Sequence, residues 1–225
     1  MTRKYTAYSS PLAKHYLDAL ASPDTSVRDY QDSMTKLGEM LAEKFKAAPN
    51  PVLLVSTAED ADYLTQGFSQ KLAEQGIPFK FVVFWNNHYR LSDGSSVAPI
   101  TQKYLQDGWK DCKTVVLLKS VISGSCVVRT NLLALLAEAG FDRIVVAAPV
   151  MLRGSETKLT GEFPVGMVSR FEFLTFAQDS QRDDDGTVRP GIGGQAHPRL
   201  GLPDQPARMQ GGYLPKLVDR LAFGA

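Results

Sequence analysis

The sequence predicts an α/β domain built on a mainly parallel β-sheet with helices on both faces. Short apolar runs such as Val52–Val55 and Val115–Leu118 indicate buried strands, and stretches of helical periodicity lie between them. Strands that alternate with helices at this spacing favour a parallel sheet covered on both sides. With 225 residues, of which 44% are hydrophobic, the chain can bury the core of one such domain, which we expect to span residues 1–225.

The N-terminal part of the chain is predicted to be helical. We expect an N-terminal helical segment over 1–48, with helix over 11–47, because apolar residues recur there at helical spacing. Pro49 and Pro51 end that segment. A buried strand over Val52–Val55 then opens the sheet.

The middle of the chain alternates between polar and apolar stretches. We predict, in order, a polar turn over Ser56–Ala61, a helix over Tyr63–Gln75, a strand over Phe79–Trp85 and a mobile loop over Asn86–Gln106. Gly76 closes the helix, and Asp93-Gly94 forms a turn at the middle of the loop.

The C-terminal half continues the alternation until regular periodicity is lost. We predict a strand over Val115–Leu118, a loop over Ser120–Cys126, a helix to about Gly140, strands over Arg143–Val150 and Phe171–Ala177, and a terminal helix over Pro215–Phe223. Residues 178–212, rich in glycine and proline, form a segment that we call the hood. Ligands of parallel sheets bind outside the carboxyl ends of the strands, so we expect the loops that follow the strands to surround one crevice.

Composition and charge exclude several classes of partner. The formal net charge of +1 favours neither nucleic acid nor a membrane surface, and the apolar runs are too short to span a bilayer. The N-terminus is polar, and the two cysteines, Cys112 and Cys126, give no disulfide framework, so we expect a cytoplasmic protein. His88 and His197 lack the spacing of metal ligands, and Asp183–Asp185 is typical of a solvated loop, so no metal site is predicted.

The loop over Ser120–Cys126 joins a strand to a helix N-terminus and is rich in small side chains. Backbone N–H groups and the helix dipole favour an anion at such a junction, and small side chains allow it to approach closely. An ordinary strand-to-helix turn capped by serine is the alternative. The candidate phosphate-binding residues of this loop are Ser120, Ser123, Gly124, Ser125 and Cys126.

Four segments keep the order and spacing found in one enzyme family. They are the helix TSVRDYQDSMTKLGEMLAEKF over Thr25–Phe45, the pair Tyr89-Arg90 followed by Lys103, the loop region Thr114–Ser125, and DSQRDDDGTVRPGIGGQAHPRLG over Asp179–Gly201. Together they resemble the uracil phosphoribosyltransferase family, which places its phosphoribosyl pyrophosphate loop at the third segment and its base-binding loop at the fourth. The resemblance covers roughly Thr25 to Gly201. It implies the type I phosphoribosyltransferase fold with a C-terminal hood.

The resemblance also implies what binds and where. The implied ligand is a pyrimidine-like base or its ribose phosphate, with Mg²⁺ if phosphoribosyl pyrophosphate is used, and the implied assembly is a homodimer. Arg90 and Lys103 lie on a loop that would close over the anionic part of the ligand. The hood residues implied to hold the base are Asp179, Val188, Arg189, Pro190, Gly191, Ile192, Gly193, Gly194 and Arg199.

The chain departs from the family pattern at positions that carry its chemistry. Lys119 stands where the family has an acidic residue that holds the ribose hydroxyls, and His197 stands at a carboxylate position of the base loop. Glu59 and Asp60 replace part of a pyrophosphate loop that contains arginine, so they would repel pyrophosphate. A charge-assisted hydrogen bond contributes about 1.5–3 kcal/mol, and its loss disfavours the family's standard transfer reaction.

Lys119, Glu59, Asp60 and His197 are therefore the candidate catalytic residues. Lys119 is either a functional cation or a lysine whose ammonium reaches solvent. Glu59 and Asp60 either supply an acid–base carboxylate or only suit a helix dipole, and His197 is a candidate acid–base group. Cys126 is either a nucleophile or a small residue packed under its loop, and packing is the favoured interpretation.

Three functions are compatible with this pattern. The first is a divergent uracil phosphoribosyltransferase-like enzyme that acts on the bond between a pyrimidine-like base and a ribose phosphate. The second is an enzyme of a specialised biosynthetic pathway that keeps the scaffold but runs other chemistry, and the third is a nucleotide-sensing binding protein without turnover. Each of these functions requires the loop that begins at Lys119 and the hood around Pro190 to face each other across one cavity.

Overall fold

The computed structural model describes residues 3–46, 51–92 and 95–224. Its strands are Lys4–Tyr5 (β1), Val52–Thr57 (β2), Phe79–Asn86 (β3), Tyr89–Arg90 (β4), Ser96–Val97 (β5), Ile100–Leu105 (β6), Thr114–Leu118 (β7), Val121–Ile122 (β8), Arg143–Leu152 (β9), Phe171–Asp179 (β10), Gln181–Arg182 (β11) and Val188–Arg189 (β12). Its α-helices are Pro11–Ala21 (α1), Val27–Lys44 (α2), Ala58–Asp60 (α3), Gln66–Glu74 (α4), Cys126–Leu136 (α5), Ser155–Thr160 (α6), Val165–Val168 (α7), Ala196–Arg199 (α8) and Lys216–Phe223 (α9). A π-helical turn over Ala61–Thr65 joins α3 to α4.

One central sheet organises the molecule, and its strand order is β1-β10-β9-β7-β2-β3-β6, with β8 paired to β9. Its inner strands, from β10 to β3, pair in parallel. The edge strands β1 and β6 pair in antiparallel fashion. The predicted α/β architecture with a mainly parallel sheet is therefore confirmed.

Both faces of the sheet are buried. In β2, Val52 and Leu54 pack into the core that includes residues of α1, α2 and α4. Their neighbours Leu53 and Val55 point the other way, into the core that includes residues of α5. Successive side chains of a strand face opposite sides, so burial on both sides requires an unbroken apolar run. The faces are thus occupied by helices, and the strand ends remain for a ligand.

The predicted helix over 11–47 is wrong at its middle, because the chain forms two helices there, α1 and α2. Pro23 follows the end of α1, where its ring cannot continue the helix. Ser26 then caps α2, and its hydroxyl accepts a hydrogen bond from the Asp29 N–H at 3.1 Å. The predicted end of this segment, at residues 47–49, lies outside the described part of the chain.

The predicted polar turn over Ser56–Ala61 is also wrong. β2 continues to Thr57 and is followed directly by α3, so helical structure begins before the predicted helix over Tyr63–Gln75. The Thr57 hydroxyl donates a hydrogen bond to the Asp60 carboxylate at 2.9 Å, across the first turn of that helix. This early start places Glu59 and Asp60 at the carboxyl end of β2 rather than in a loop.

The segment predicted as a mobile loop, Asn86–Gln106, contains the β4–β5 hairpin and the edge strand β6. β6 has the sequence ITQKYL, and its middle residues are exposed, so it lacks the apolar run of a buried strand. The turn predicted at Asp93-Gly94 lies outside the described residues. The edge strand β1 and the short helices α6 and α7 have no counterpart in the prediction, and α5 ends at Leu136 rather than near Gly140.

The C-terminal helix α9 lies where it is predicted. Its first N–H groups, those of Lys216 and Leu217, donate to the Asp62 carboxylate at 3.0 and 2.8 Å. Asp62 belongs to the π-helical turn, so this cap fixes α9 against the segment that carries Glu59 and Asp60. None of the described helices combines the length and the apolar character needed to cross a lipid bilayer.

Candidate functional site

A cavity of about 310 Å³ lies at the carboxyl ends of β2, β3 and β7. The loop after β7 lines one side and the hood lines the other, so the two segments face each other as the sequence analysis requires. The predicted site residues that line this cavity are Glu59, Arg90, Lys119, Ser120, Ser123, Val188, Ile192, Gly194 and His197.

A second cavity, of about 280 Å³, adjoins the first and shares Lys119 and Ser123 with it. Its lining includes the other candidate phosphate residues, Gly124, Ser125 and Cys126, at the start of α5. The strand-to-helix loop therefore borders both cavities. A ligand that spans them would touch the hood with one end and the N-terminus of α5 with the other.

Lys119, Glu59 and Asp60 form a buried cluster at the floor of the first cavity. The Lys119 ammonium donates to Glu59 Oε1 at 3.1 Å and to Asp60 Oδ2 at 2.7 Å. The Lys119 side chain is 14% exposed and that of Asp60 is fully buried. Burial by itself lowers the pKa of Lys119, but the adjacent carboxylates outweigh burial and hold it well above its ordinary value. Burial likewise raises the pKa of Glu59, but Lys119 and the hydrogen bonds of the Glu59 carboxylate together bring the pKa below its ordinary value.

Asp60 supports the cavity from below and is not among the residues that line it. Its carboxylate accepts hydrogen bonds from the Thr57 hydroxyl at 2.9 Å and from the Ser120 N–H at 3.1 Å, in addition to the Lys119 ammonium. Asp60 therefore fixes the first turn of the β7 loop to the end of β2.

The net charge at this floor is negative, whereas a site that binds pyrophosphate is positively charged. One ammonium and two carboxylates meet there, and Glu59 is the carboxylate that reaches the cavity surface. The same carboxylate oxygens would have to leave the ammonium before they could coordinate a divalent cation. Among the described residues, no group of three or more His, Cys, Asp or Glu side chains is arranged to hold a metal ion.

The phosphate loop is held by its own side-chain contacts. The Ser125 hydroxyl donates to the Glu162 carboxylate, which also pairs with Arg129 at 3.0 Å. The Cys126 thiol donates to the Ser96 carbonyl at 3.2 Å, and burial raises its pKa. A neutral, hydrogen-bonded thiol agrees with packing under the loop and gives no support to a nucleophilic role.

Ser120 contributes an uncommitted polar group. Ser120 is one of the residues that line the first cavity, and its hydroxyl is fully buried and has no hydrogen-bond partner within the described structure. A buried hydroxyl without a partner costs free energy, and a ligand or water in the cavity can supply that partner.

The hairpin that carries His88 and Arg90 is fastened to the hood. Gln205 accepts from the His88 N–H at 3.0 Å, and its amide donates to the His88 carbonyl at 3.3 Å. Arg208 donates to the same carbonyl at 2.8 Å, and its guanidinium lies 5.2 Å from the centre of the Tyr89 ring. These contacts place His88 and Arg90 in the cavity wall. No pattern in the sequence indicates the roles of Gln205 and Arg208.

Lys103 lies away from the site. It is on the edge strand β6, half exposed, and pairs with Glu138 at 3.4 Å. It lines neither cavity described above. Its predicted contact with the ligand's anion is therefore not available in this arrangement, whereas Arg90 on the preceding hairpin keeps its predicted place.

Several predicted base-binding residues hold the hood to the body of the protein instead of lining the cavity. Asp179 is fully buried and accepts two hydrogen bonds from Arg3, at 2.9 and 2.8 Å, and one from the Gly191 N–H at 2.8 Å. Arg3 also donates to the Gly191 carbonyl at 2.5 Å. The acidic residue at the start of the hood is thus a structural anchor.

The rest of the hood backbone packs against α1 and α2. Arg199 donates to the carbonyls of Leu20 and Ser22 at 3.2 and 2.6 Å, and it stacks on Tyr30. A Cβ atom at Gly193, where φ is +77°, would collide with the Leu20 carbonyl oxygen. Glycine is therefore required there by close packing. The same is true of Gly191, and the remaining predicted residues, Arg189 and Pro190, lie outside the cavity lining.

The two cavity histidines face the same charged groups. Burial lowers the pKa of His88, and the charges of Lys119, Arg182 and Arg208 act in the same direction. Burial also lowers the pKa of His197, where Glu59 and Asp204 oppose it. Both imidazoles are consequently neutral at pH 7, and each can donate one hydrogen bond and accept another.

Comparison with known proteins supports the fold by structure rather than by sequence. No protein-family model matches the chain, and no curated protein sequence matches it. The solved structure of the AQ2163 protein from Aquifex aeolicus is similar with a TM-score of 0.65 and 18% identity, over 85% of this chain and 95% of that one. Adenine phosphoribosyltransferase from Trypanosoma brucei, in complex with AMP, pyrophosphate and ribose-5-phosphate, is similar with a TM-score of 0.51 and 15% identity, over 83% of this chain and 92% of that one. The chain therefore has the fold of the type I phosphoribosyltransferases.

Proposed function

We propose that this protein is an enzyme that binds a pyrimidine-like base or its ribose phosphate and acts on the bond between them. The observation that carries the proposal is the paired cavity between the β7 loop and the hood, with Lys119, Glu59 and Asp60 clustered at its floor. The phosphate lies at Ser123–Cys126 and the base lies beneath the hood. Lys119 lies near the sugar.

The two ends of the paired cavity suit the two ends of such a ligand. Backbone N–H groups at the start of α5 favour an anion; Arg182 adds positive charge to the walls of both cavities, and Arg90 adds it to the wall of the first. At the other end, Val188 and Ile192 offer apolar surface for a planar ring. Ser120 belongs to this lining, and its buried, unpartnered hydroxyl is a candidate hydrogen-bond partner for the ligand.

Pyrophosphate-dependent transfer is disfavoured in this proposal. A pyrophosphate at the end of β2 would meet Glu59 at the cavity surface, and Lys119 is already paired with Glu59 and Asp60. Pyrophosphate and the Glu59 carboxylate would repel each other, and Glu59 Oε1 and Asp60 Oδ2 are already paired with the Lys119 ammonium. The acceptor or donor of the ribose phosphate is therefore a group other than pyrophosphate.

Calorimetry with uridine monophosphate (UMP), uracil, phosphoribosyl pyrophosphate and pyrophosphate, each with and without Mg²⁺, tests the proposal. We expect UMP to bind at least tenfold more tightly than pyrophosphate, and its dissociation constant to change less than twofold with Mg²⁺. Arg90→Ala removes a cation from the cavity wall and should weaken UMP binding about tenfold or more, because charge-assisted hydrogen bonds contribute about 1.5–3 kcal/mol.

The matched control is Lys103→Ala, which removes the same charge from the edge strand outside both cavities and should leave UMP binding within twofold of wild type. Tight Mg²⁺-dependent binding of pyrophosphate would instead support the family's standard transfer reaction. If none of the four compounds bound to the protein, a nucleotide ligand of this class would be refuted.

A nucleotide-binding protein without turnover is the second candidate. It is favoured by the ion pairs themselves, because Lys119 and Glu59 neutralise each other and neither is held free for proton transfer. Release of uracil from bound UMP separates the two functions. Binding with no uracil released would favour the sensor, and release that depends on Glu59 would favour the enzyme.

A further inference from the structure

Four backbone polar groups of the hood segment Gly191–Gly193 are hydrogen-bonded within the protein. The Gly191 N–H and carbonyl are taken by Asp179 and Arg3, at 2.8 and 2.5 Å. The Ile192 carbonyl accepts from the Tyr30 hydroxyl at 3.0 Å, and the Gly193 N–H donates to the Pro190 carbonyl at 3.2 Å. The two N–H groups would have to leave their present partners before they could pair with a base, and the two carbonyls could offer it only their second lone pair.

Side chains supply the uncommitted polar groups instead. His88, Gln195 and His197 all line the first cavity, from the β3 end and from the hood. Within the part of the chain that the structure describes, none of their side chains is hydrogen-bonded to protein, whereas the cavity residues Asn86 and Gln205 have their amides paired. The three side chains are thus free to recognise a ligand.

The backbone of His88 is fixed, which limits the positions that its ring can reach. Gln205 holds both the N–H and the carbonyl of His88, and Arg208 holds that carbonyl a second time. His197 lies on α8, whose last residue, Arg199, is tied to carbonyls of α1 and its C-terminal cap. Neutral imidazoles at these two places each offer one donor and one acceptor.

We propose that His88 and His197, together with Gln195, form hydrogen bonds with the polar edge of the base. The base then carries an imide or amide edge, with a donor next to an acceptor. This inference rests on the proposed function and names its specificity-determining residues. It replaces recognition by the hood backbone, which the family resemblance implies, with recognition by side chains. A neutral planar base with such an edge matches neutral imidazoles, and an anionic ring would meet Glu59 on the cavity surface.

Histidine-ring NMR tests this on the wild-type protein, because the chain contains only three histidines. The third, His15, is exposed on α1 with its ring against Tyr16 and lines neither of the two cavities, so it serves as an internal control. On titration with UMP, we expect the ring signals of His88 and His197 to shift and that of His15 to stay. 3-Methyluridine monophosphate, which lacks the imide N–H, should bind at least tenfold more weakly than UMP.

Variants measure the same contacts by affinity. His88→Ala and His197→Ala should each weaken UMP binding about three- to tenfold, the range for loss of one neutral hydrogen bond, and His15→Ala should change it less than twofold. Thermal unfolding of each variant checks that the fold is kept. If UMP binds in a manner that Arg90→Ala weakens while the His88 and His197 signals stay still, this inference is overturned and the proposed function stands. If UMP does not bind at all, the proposed function fails and takes this inference with it.

Discussion

Replacement of Lys119 with methionine should destabilise the protein by about 3–5 kcal/mol. Methionine has a similar length, but it leaves the carboxylates of Glu59 and Asp60 without the ammonium that now lies 3.1 and 2.7 Å from them. The Asp60 side chain is fully buried, so water cannot replace the lost partner. Urea unfolding at pH 7, followed by circular dichroism, measures the change in the free energy of unfolding.

Two further variants show whether the effect comes from buried charge. Lys103→Met breaks a half-exposed ion pair with Glu138 and should cost less than about 1 kcal/mol. Adding Glu59→Gln and Asp60→Asn to Lys119→Met should restore most of the lost stability, because no uncompensated carboxylate remains. A loss below about 1 kcal/mol for Lys119→Met alone would contradict a tightly coupled cluster.

Lys119→Met should also reverse the way in which this cluster's contribution to stability depends on pH. In wild type, the lowered pKa of Glu59 contributes stability above its ordinary value of 4.5, and this contribution is lost as the pH falls through the lowered pKa. Without Lys119, burial of Glu59 favours its protonated form, which the backbone and Thr57 hydrogen bonds of Glu59 still oppose. The difference in the free energy of unfolding between wild type and Lys119→Met should therefore become smaller as the pH is lowered towards 4.

Asp179→Asn should also cost about 3–5 kcal/mol, because it leaves the Arg3 guanidinium without its counter-ion. The Arg3 side chain is only 8% exposed and that of Asp179 is fully buried. The same carboxylate holds the Gly191 N–H, so the variant should loosen the hood as well as lower the free energy of unfolding. Urea unfolding measures the first effect, and proteolysis within the hood measures the second.

A matched control lies in the same segment. Asp183 pairs with Arg189 at 2.6 Å, but both side chains are nearly half exposed, so Asp183→Asn should cost less than about 1 kcal/mol. Equal losses for the two variants would show that the hood responds to any lost charge. If Asp179→Asn left the free energy of unfolding nearly unchanged, Asp179 would not be an anchor of the hood.

The inner strands of the sheet could be predicted from the sequence because they are buried on both faces. Val52–Val55 and Val115–Leu118 are apolar at every position, which few other structures require. The edge strands carry no such signal. Ile100–Leu105 exposes its middle side chains to solvent, and Lys4–Tyr5 has only two residues.

The sequence indicates individual residues of the candidate site but not the contacts between them. Lys119, Glu59 and Asp60 each depart from a family pattern, yet about sixty positions separate the lysine from the carboxylates, and no periodicity links them. Gln205 and Arg208 depart from no pattern, and only the folded chain brings them to His88.

The sequence also does not indicate whether the polar groups of the hood backbone face the cavity or the protein. The glycines at 191 and 193 are consistent with a loop that offers backbone groups to a ligand and equally with a loop packed against its neighbours. The deciding contacts come from Arg3 and Tyr30, which lie far away in the chain. Long-range packing of this kind has no local sequence signature.

A crystal structure of the protein soaked with UMP tests the central claim most directly. We expect the phosphate within hydrogen-bond distance of the backbone at Ser123–Cys126, and the uracil edge against His88 and His197 beneath the hood. Both predictions concern one molecule in the paired cavity between the β7 loop and the hood. UMP bound at another surface, or a cavity that excludes it at concentrations above the calorimetric dissociation constant, would contradict the account.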